Sequence, residues 1–249
     1  MEKQMHLAAQ YLAAAGISFL EKQPDDSHTN LGFDKDNGNL CTHILSDNGD
    51  QLCLDYEKFA LQWKSNKGTT TFELDGAMHA EVLSWLSDTS KAHLNKTYHY
   101  AFHYDLPYAI DNSFTFELLD SDQLNTLKNL RVLAQSVLEK IDQHYDLNTS
   151  IRVWPHHFDS GIYNALPGSD ITIGLGLAIP DAISNKHYLY ISGYKNGGTI
   201  DTLQLPKLPS GEWKSDDFKG AVLNADTIVE SEGVAFFEEA ISVLKNNEL

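Results

Sequence analysis

The 249-residue chain carries 35 acidic against 18 basic side chains, a formal charge of -17, with 42% hydrophobic and 21% charged residues. That composition is ordinary for a globular protein, so disorder is not the default, and the charge repels a phosphate backbone and an anionic membrane surface alike, so neither nucleic acid nor membrane is an expected partner. No run of Lys and Arg offsets the field, and no apolar run nears the roughly 20 residues needed to span a bilayer.

Residues 3–15 are Ala- and Leu-rich and predict a helix ending at Gly16. Glu2 and Gln10 interrupt its apolar residues, and the segment lacks the basic start and continuous apolar core of a signal peptide. The turn-rich stretch Pro24–Asn39 follows, where Asp34-Lys35-Asp36-Asn37-Gly38 reads as a β-turn rather than a calcium loop, because the terminal Glu is missing. Short strands are expected at 40–45, 51–56, 59–63 and 69–74, then a helix over 77–92 capped by Asp75. Residues 97–118 should be extended in part. From Tyr98 to Asp105 the chain alternates strictly, aromatic residues on one side and His99, Ala101, His103 and Asp105 on the other. The longest helix is expected at 122–145 on the spacing of Leu124, Leu127, Leu130, Val137 and Ile141. Strands at 150–155, 157–164, 170–178, 187–194 and 219–223 and a helix at 229–246 complete the order.

The fold class is therefore α+β, with antiparallel sheet covered by helices. The order helix, short strands, helix occurs twice. It suggests a pseudo-duplication within a single compact unit of 249 residues, with internal halves at 1–95 and 120–249.

Cys41 and Cys53 flank the turn signal Asn48-Gly49. A two-residue hairpin loop there sets Cys41 against Tyr56 and Cys53 against Ile44, with the thiols on opposite faces and no disulfide. Two cysteines in so long a chain also fit a reducing compartment, so a cytoplasmic location is the expectation.

The most informative segment is Arg152-Val153-Trp154-Pro155-His156-His157-Phe158-Asp159. Together with His28-Thr29-Asn30-Leu31-Gly32-Phe33-Asp34, Ile173–Leu177, Gly211-Glu212-Trp213 and Gly220–Leu223, it resembles an uncharacterised family of bacterial proteins from about residue 28 to the C-terminus. The resemblance implies a bacterial origin and an intact fold, and brings no activity, cofactor or ligand.

Read as a strand, 157–164 puts His157, Asp159, Gly161 and Tyr163 on one face. A two-residue turn at Pro167-Gly168 then sets Asp159 against Gly176, Gly161 against Gly174 and His157 against Ala178, while Phe158 and Ile162 meet Leu177 and Ile173 on the core side. Tyr188, Tyr190, Ser192 and Tyr194 join the polar face, and the glycines leave a notch beside His157 and Asp159.

Three readings follow. The face binds a small polar, sugar-like molecule through His157, Asp159, Tyr163, Gly174, Gly176, Tyr188 and Tyr190. Alternatively, His157 and Asp159 are two ligands of a metal-dependent enzyme, with His28, His43 or His187 brought in by folding. Otherwise the motif is architecture, buried where the halves meet, as in a structural or interaction protein. Gly174-Leu175-Gly176 lacks the third glycine and the strand-to-helix turn of a dinucleotide site. Neither a particular cofactor nor an oligomeric state is indicated.

Overall fold

The computed structural model describes residues 1–246 apart from Pro107 and Ala109. It is an α+β protein of helices and antiparallel sheet. The chain forms two compact units, Met1–Asn129 with Val153–His156, and Leu130–Arg152 with His157 onward.

In the first unit, α1 (Glu2–Phe19) is mostly apolar and buried along most of its length, as expected of a helix without a polar stripe wide enough to face water. It runs past Gly16 rather than stopping there. A Cβ at Gly16 would lie 2.5 Å from the His28 carbonyl oxygen, so this glycine admits a neighbouring backbone instead of ending the helix. Strands β1 (Gly32–Asp34), β2 (Asn39–Cys41), β3 (Gln51–Asp55), β4 (Ala60–Ser65) and β5 (Gly68–Glu73) form a meander in the order β1-β2-β3-β4-β5. The β1–β2 turn is the expected one. Asp34 accepts from the Asp36 and Asn37 amides, and Gly38 takes φ +63°.

The cysteine expectation is overturned. Cys41 and Cys53 are cross-strand partners joined in a disulfide. The Ser46–Gly49 turn forms at the apex, but the ladder does not run up to it. Asp50 folds inward and takes hydrogen bonds from Trp63 Nε1 (2.8 Å) and Ser46 Oγ (2.5 Å). The pairing is displaced by three residues, an odd number, and an odd displacement moves two side chains from opposite faces to the same face. The reducing-compartment reading loses its basis with it.

Helix α2 (His79–Leu94) begins later than expected. Glu81 accepts from the Met78 amide at 2.8 Å, whereas Asp75 accepts from the Leu118 amide. The stretch 98–105 forms no strand, yet its alternation survives, with His99, Ala101, His103 and Asp105 exposed and the aromatic residues between them turned inward. The rest of the expected extended segment includes Pro107 and Ala109, which lie outside the described residues.

Helix α3 (Ser121–Tyr145) contributes to both units. Strand β6 (Arg152–Trp154) follows, then β7 (Asp159–Ala165), β8 (Thr172–Ala178), β9 (Tyr188–Lys195), the short β10 (Gly198–Thr199), β11 (Glu212–Lys214), β12 (Gly220–Asn224) and α4 (Glu230–Asn246). In the second unit β7, β8 and β9 are sequential neighbours. The chain then passes to the outer β11 and returns as β12 beside β9, while β10 pairs with β9. One face of this sheet carries Ile162, Ile173, Leu175, Leu177, Leu189, Ile191 and Ala221. It packs with Val137 and Ile141 of α3 and Phe237, Ala240, Ile241 and Leu244 of α4.

Candidate functional site

The other face of the second sheet is the polar face expected from the sequence, shifted in register. The β7–β8 hairpin closes where the Leu166 amide donates to the Ile171 carbonyl at 2.8 Å, around a four-residue loop Pro167–Asp170. Gly161 therefore pairs with Gly176 and Tyr163 with Gly174, two residues from the expected register. An even displacement keeps every side chain on its face. Across β8, Gly176 faces Tyr190, Gly174 faces Ser192 and Ala178 faces Tyr188.

His157 does not share that face. Pro155–Phe158 form a turn rather than the start of a strand, and Phe158 takes the left-handed conformation at φ +57°. The cause lies in α3. Arg131, 5% exposed, donates to the Phe158 carbonyl at 2.5 Å and to Ser160 Oγ at 2.8 Å, and its guanidinium lies 4.3 Å from the Phe158 ring centroid. The strand begins at Asp159, and His157 stands exposed before it. The geometry behind the two-ligand metal reading, His and Asp two apart on one strand, is absent. Among the described residues no group of three or more His, Cys, Asp or Glu could hold a metal ion.

Asp159, Gly161, Tyr163, Gly174, Gly176, Tyr188 and Tyr190 do come together. The Tyr190 hydroxyl donates to Asp159 Oδ2 at 2.5 Å and lies 3.0 Å from where a Gly161 Cβ would sit. Burial and the adjacent Asp159 charge push the Tyr190 phenol well above its ordinary pKa, so it remains a donor throughout the neutral range. Asp159 Oδ1 is buried with no hydrogen-bond partner among the described residues. Tyr163 and Tyr194 lie edge to face, 5.5 Å between centroids, on either side of Gly174. Tyr163 is 66% exposed. Gly176 meets the Ser160 carbonyl, 2.0 Å from a built Cβ, so it admits the β7 backbone. Tyr188 is buried and donates to Asp181 at 2.8 Å.

The first unit holds a second polar group that periodicity did not mark. His6 Nε2 and Gln10 Nε2 both reach the Pro155 carbonyl at 2.8 Å, and the Tyr104 hydroxyl donates to Gln10 Oε1 at 2.7 Å. The Tyr11 hydroxyl and His79 Nδ1 share a hydrogen bond of 2.6 Å. Burial lowers the His79 pKa, with Asp111 acting weakly the other way. The signal for this network was present in α1, where His6 and Gln10 stand four apart in an otherwise apolar helix.

By fold and site, this is a two-unit α+β protein whose second sheet carries a tyrosine-lined polar face around the half-buried Asp159 carboxylate. No family model, curated protein or solved structure matches the chain. No helix among the described residues is long and apolar enough to cross a membrane.

Proposed function

We propose that the protein binds a small, uncharged polar molecule of sugar-like chemistry on the tyrosine face of the second unit. The observation that carries this reading is Asp159. One carboxylate oxygen is held by Tyr190, and the other is buried with no partner among the described residues. A buried acceptor left unpaired costs about 1–3 kcal/mol, and a ligand hydroxyl admitted by a small shift of the neighbouring side chains would satisfy it. Along the same face, Tyr163 offers an exposed ring braced by Tyr194. A flat aromatic surface beside a hydrogen-bonding carboxylate suits the apolar face and hydroxyl edge of a pyranose. Binding is the activity assigned, on the aromatic surface and the hydrogen-bonding groups that this face presents.

The test is a thermal-shift and tyrosine-fluorescence titration with neutral mono- and disaccharides. The expected result is saturable stabilisation by at least one of them, abolished by Tyr163→Ala and weakened by Asp159→Asn in proteins whose circular dichroism is unchanged. No stabilisation by any neutral sugar would end this reading.

A further inference from the structure

Strand β5 ends the five-stranded sheet of the first unit, and one side of its six residues Gly68-Thr69-Thr70-Thr71-Phe72-Glu73 has no strand neighbour among the described residues. The β4–β5 pairing runs Ser65↔Gly68, Lys64↔Thr69, Trp63↔Thr70, Gln62↔Thr71 and Leu61↔Phe72. Asn66 and Lys67 form a two-residue turn, so Gly68, Thr70 and Phe72 bond to β4 and the N–H and C=O groups of Thr69 and Thr71 point outward. Neither residue makes a backbone hydrogen bond elsewhere among the described residues. All but Phe72 of these six residues are exposed. The strand has no proline, no bulge and no charge between its ends, the devices that usually protect an edge. Its three threonines favour extended pairing.

We infer that β5 is a self-association edge on which a second copy of this chain docks antiparallel, joining two five-stranded sheets into one. The register follows from the outward groups. A two-fold axis at Thr70 sets Thr69 against the partner's Thr71 and Thr71 against the partner's Thr69, so both outward residues of each copy enter hydrogen-bonded pairs. The same register brings together side chains that suit each other. Lys67, in the turn beside Gly68, is brought near the partner's Glu73 at both ends, an opposite-charge pair repeated by symmetry. Gly68 comes opposite the partner's Phe72. A Cβ at Gly68 would meet nothing within 4 Å, so an aromatic ring has room to cover it. Three sites that agree on one register commit the edge to a second copy rather than to an unrelated strand. The overall charge of -17 opposes the encounter at low salt and is screened at physiological ionic strength.

The experiment is sedimentation velocity on the full chain over a micromolar-to-millimolar concentration series at about 0.15 M salt, with circular dichroism to verify folding. The expected result is a concentration-dependent species of twice the monomer mass. Thr71→Pro removes an outward N–H from each copy without touching the β4 ladder, and should weaken association by about tenfold or more. Lys67→Glu should weaken it as well, and Lys67→Glu combined with Glu73→Lys should restore it. A folded wild-type protein that stays monomeric throughout the series overturns the proposal. So does a dimer unmoved by Thr71→Pro and Lys67→Glu, which would use another surface.

Discussion

Asp159 and Tyr190 form a short side-chain bond on the polar face, and its strength can be measured. A hydrogen bond to a charged group is worth about 1.5–3 kcal/mol. Tyr190→Phe should therefore lower unfolding stability in urea by about that amount, because the mutant leaves both carboxylate oxygens without a tyrosine donor. A double-mutant cycle with Asp159→Asn should return a coupling of similar size. A coupling near zero would mean that the two groups are merely adjacent.

His79 makes a second prediction at this scale. Burial depresses its folded-state pKa below the ordinary 6.5, so the unfolded chain takes up the proton more readily. Its contribution to stability is complete above about pH 6.5 and is lost as the pH falls through and below that value. Urea midpoints measured from about pH 7 to about pH 5 should fall more steeply for the wild type than for His79→Gln. Equal slopes would place the acid sensitivity in other groups, His28 among them, which burial also depresses.

The elements respond to their closest contacts. Gly16 lies inside α1, where Gly→Ala alone should stabilise a helix by about 1 kcal/mol. Here the added methyl would meet the His28 carbonyl oxygen at 2.5 Å, so Gly16→Ala should lower the melting temperature. A rise would mean that the neighbouring backbone yields at little cost. In the β2–β3 connection, the disulfide spans a sequence separation of 12. A loop of that length loses about 3 kcal/mol of stabilisation when opened, by the chain-entropy relation. Reduction, or Cys41→Ser with Cys53→Ser, should lower the urea midpoint accordingly, and intact mass should show two hydrogens gained on reduction.

Over the whole molecule the dominant quantity is charge. A surplus of 17 negative charges repels itself in the compact state, and exposed pairs such as Lys128–Glu57 (2.8 Å) give little in return. Raising ionic strength from about 0.01 M to about 0.15 M shortens the screening length from about 30 Å to about 8 Å. The melting temperature should rise over that range, as followed by scanning calorimetry. A fall would show that local ion pairs outweigh the net repulsion.

Much of this protein was legible along the chain because its causes are local. The apolar spacing of α3 and α4, the β-turn at Asp34–Gly38, the α+β class and the division of β7–β9 into an apolar and a polar face all arise from side chains a few residues apart. Parity is robust in this way, since a two-residue change of register left each tyrosine and glycine on its expected face. What the tertiary structure decided depended on distant groups. Arg131, 29 residues before Ser160, holds Phe158 in a left-handed turn and so removes His157 from the strand. Asp50, bonded to Trp63, draws the loop inward and sets Cys41 opposite Cys53. A buried polar side chain must find its partner wherever the fold places one, and that partner, rather than the local pattern, chose the geometry at both points.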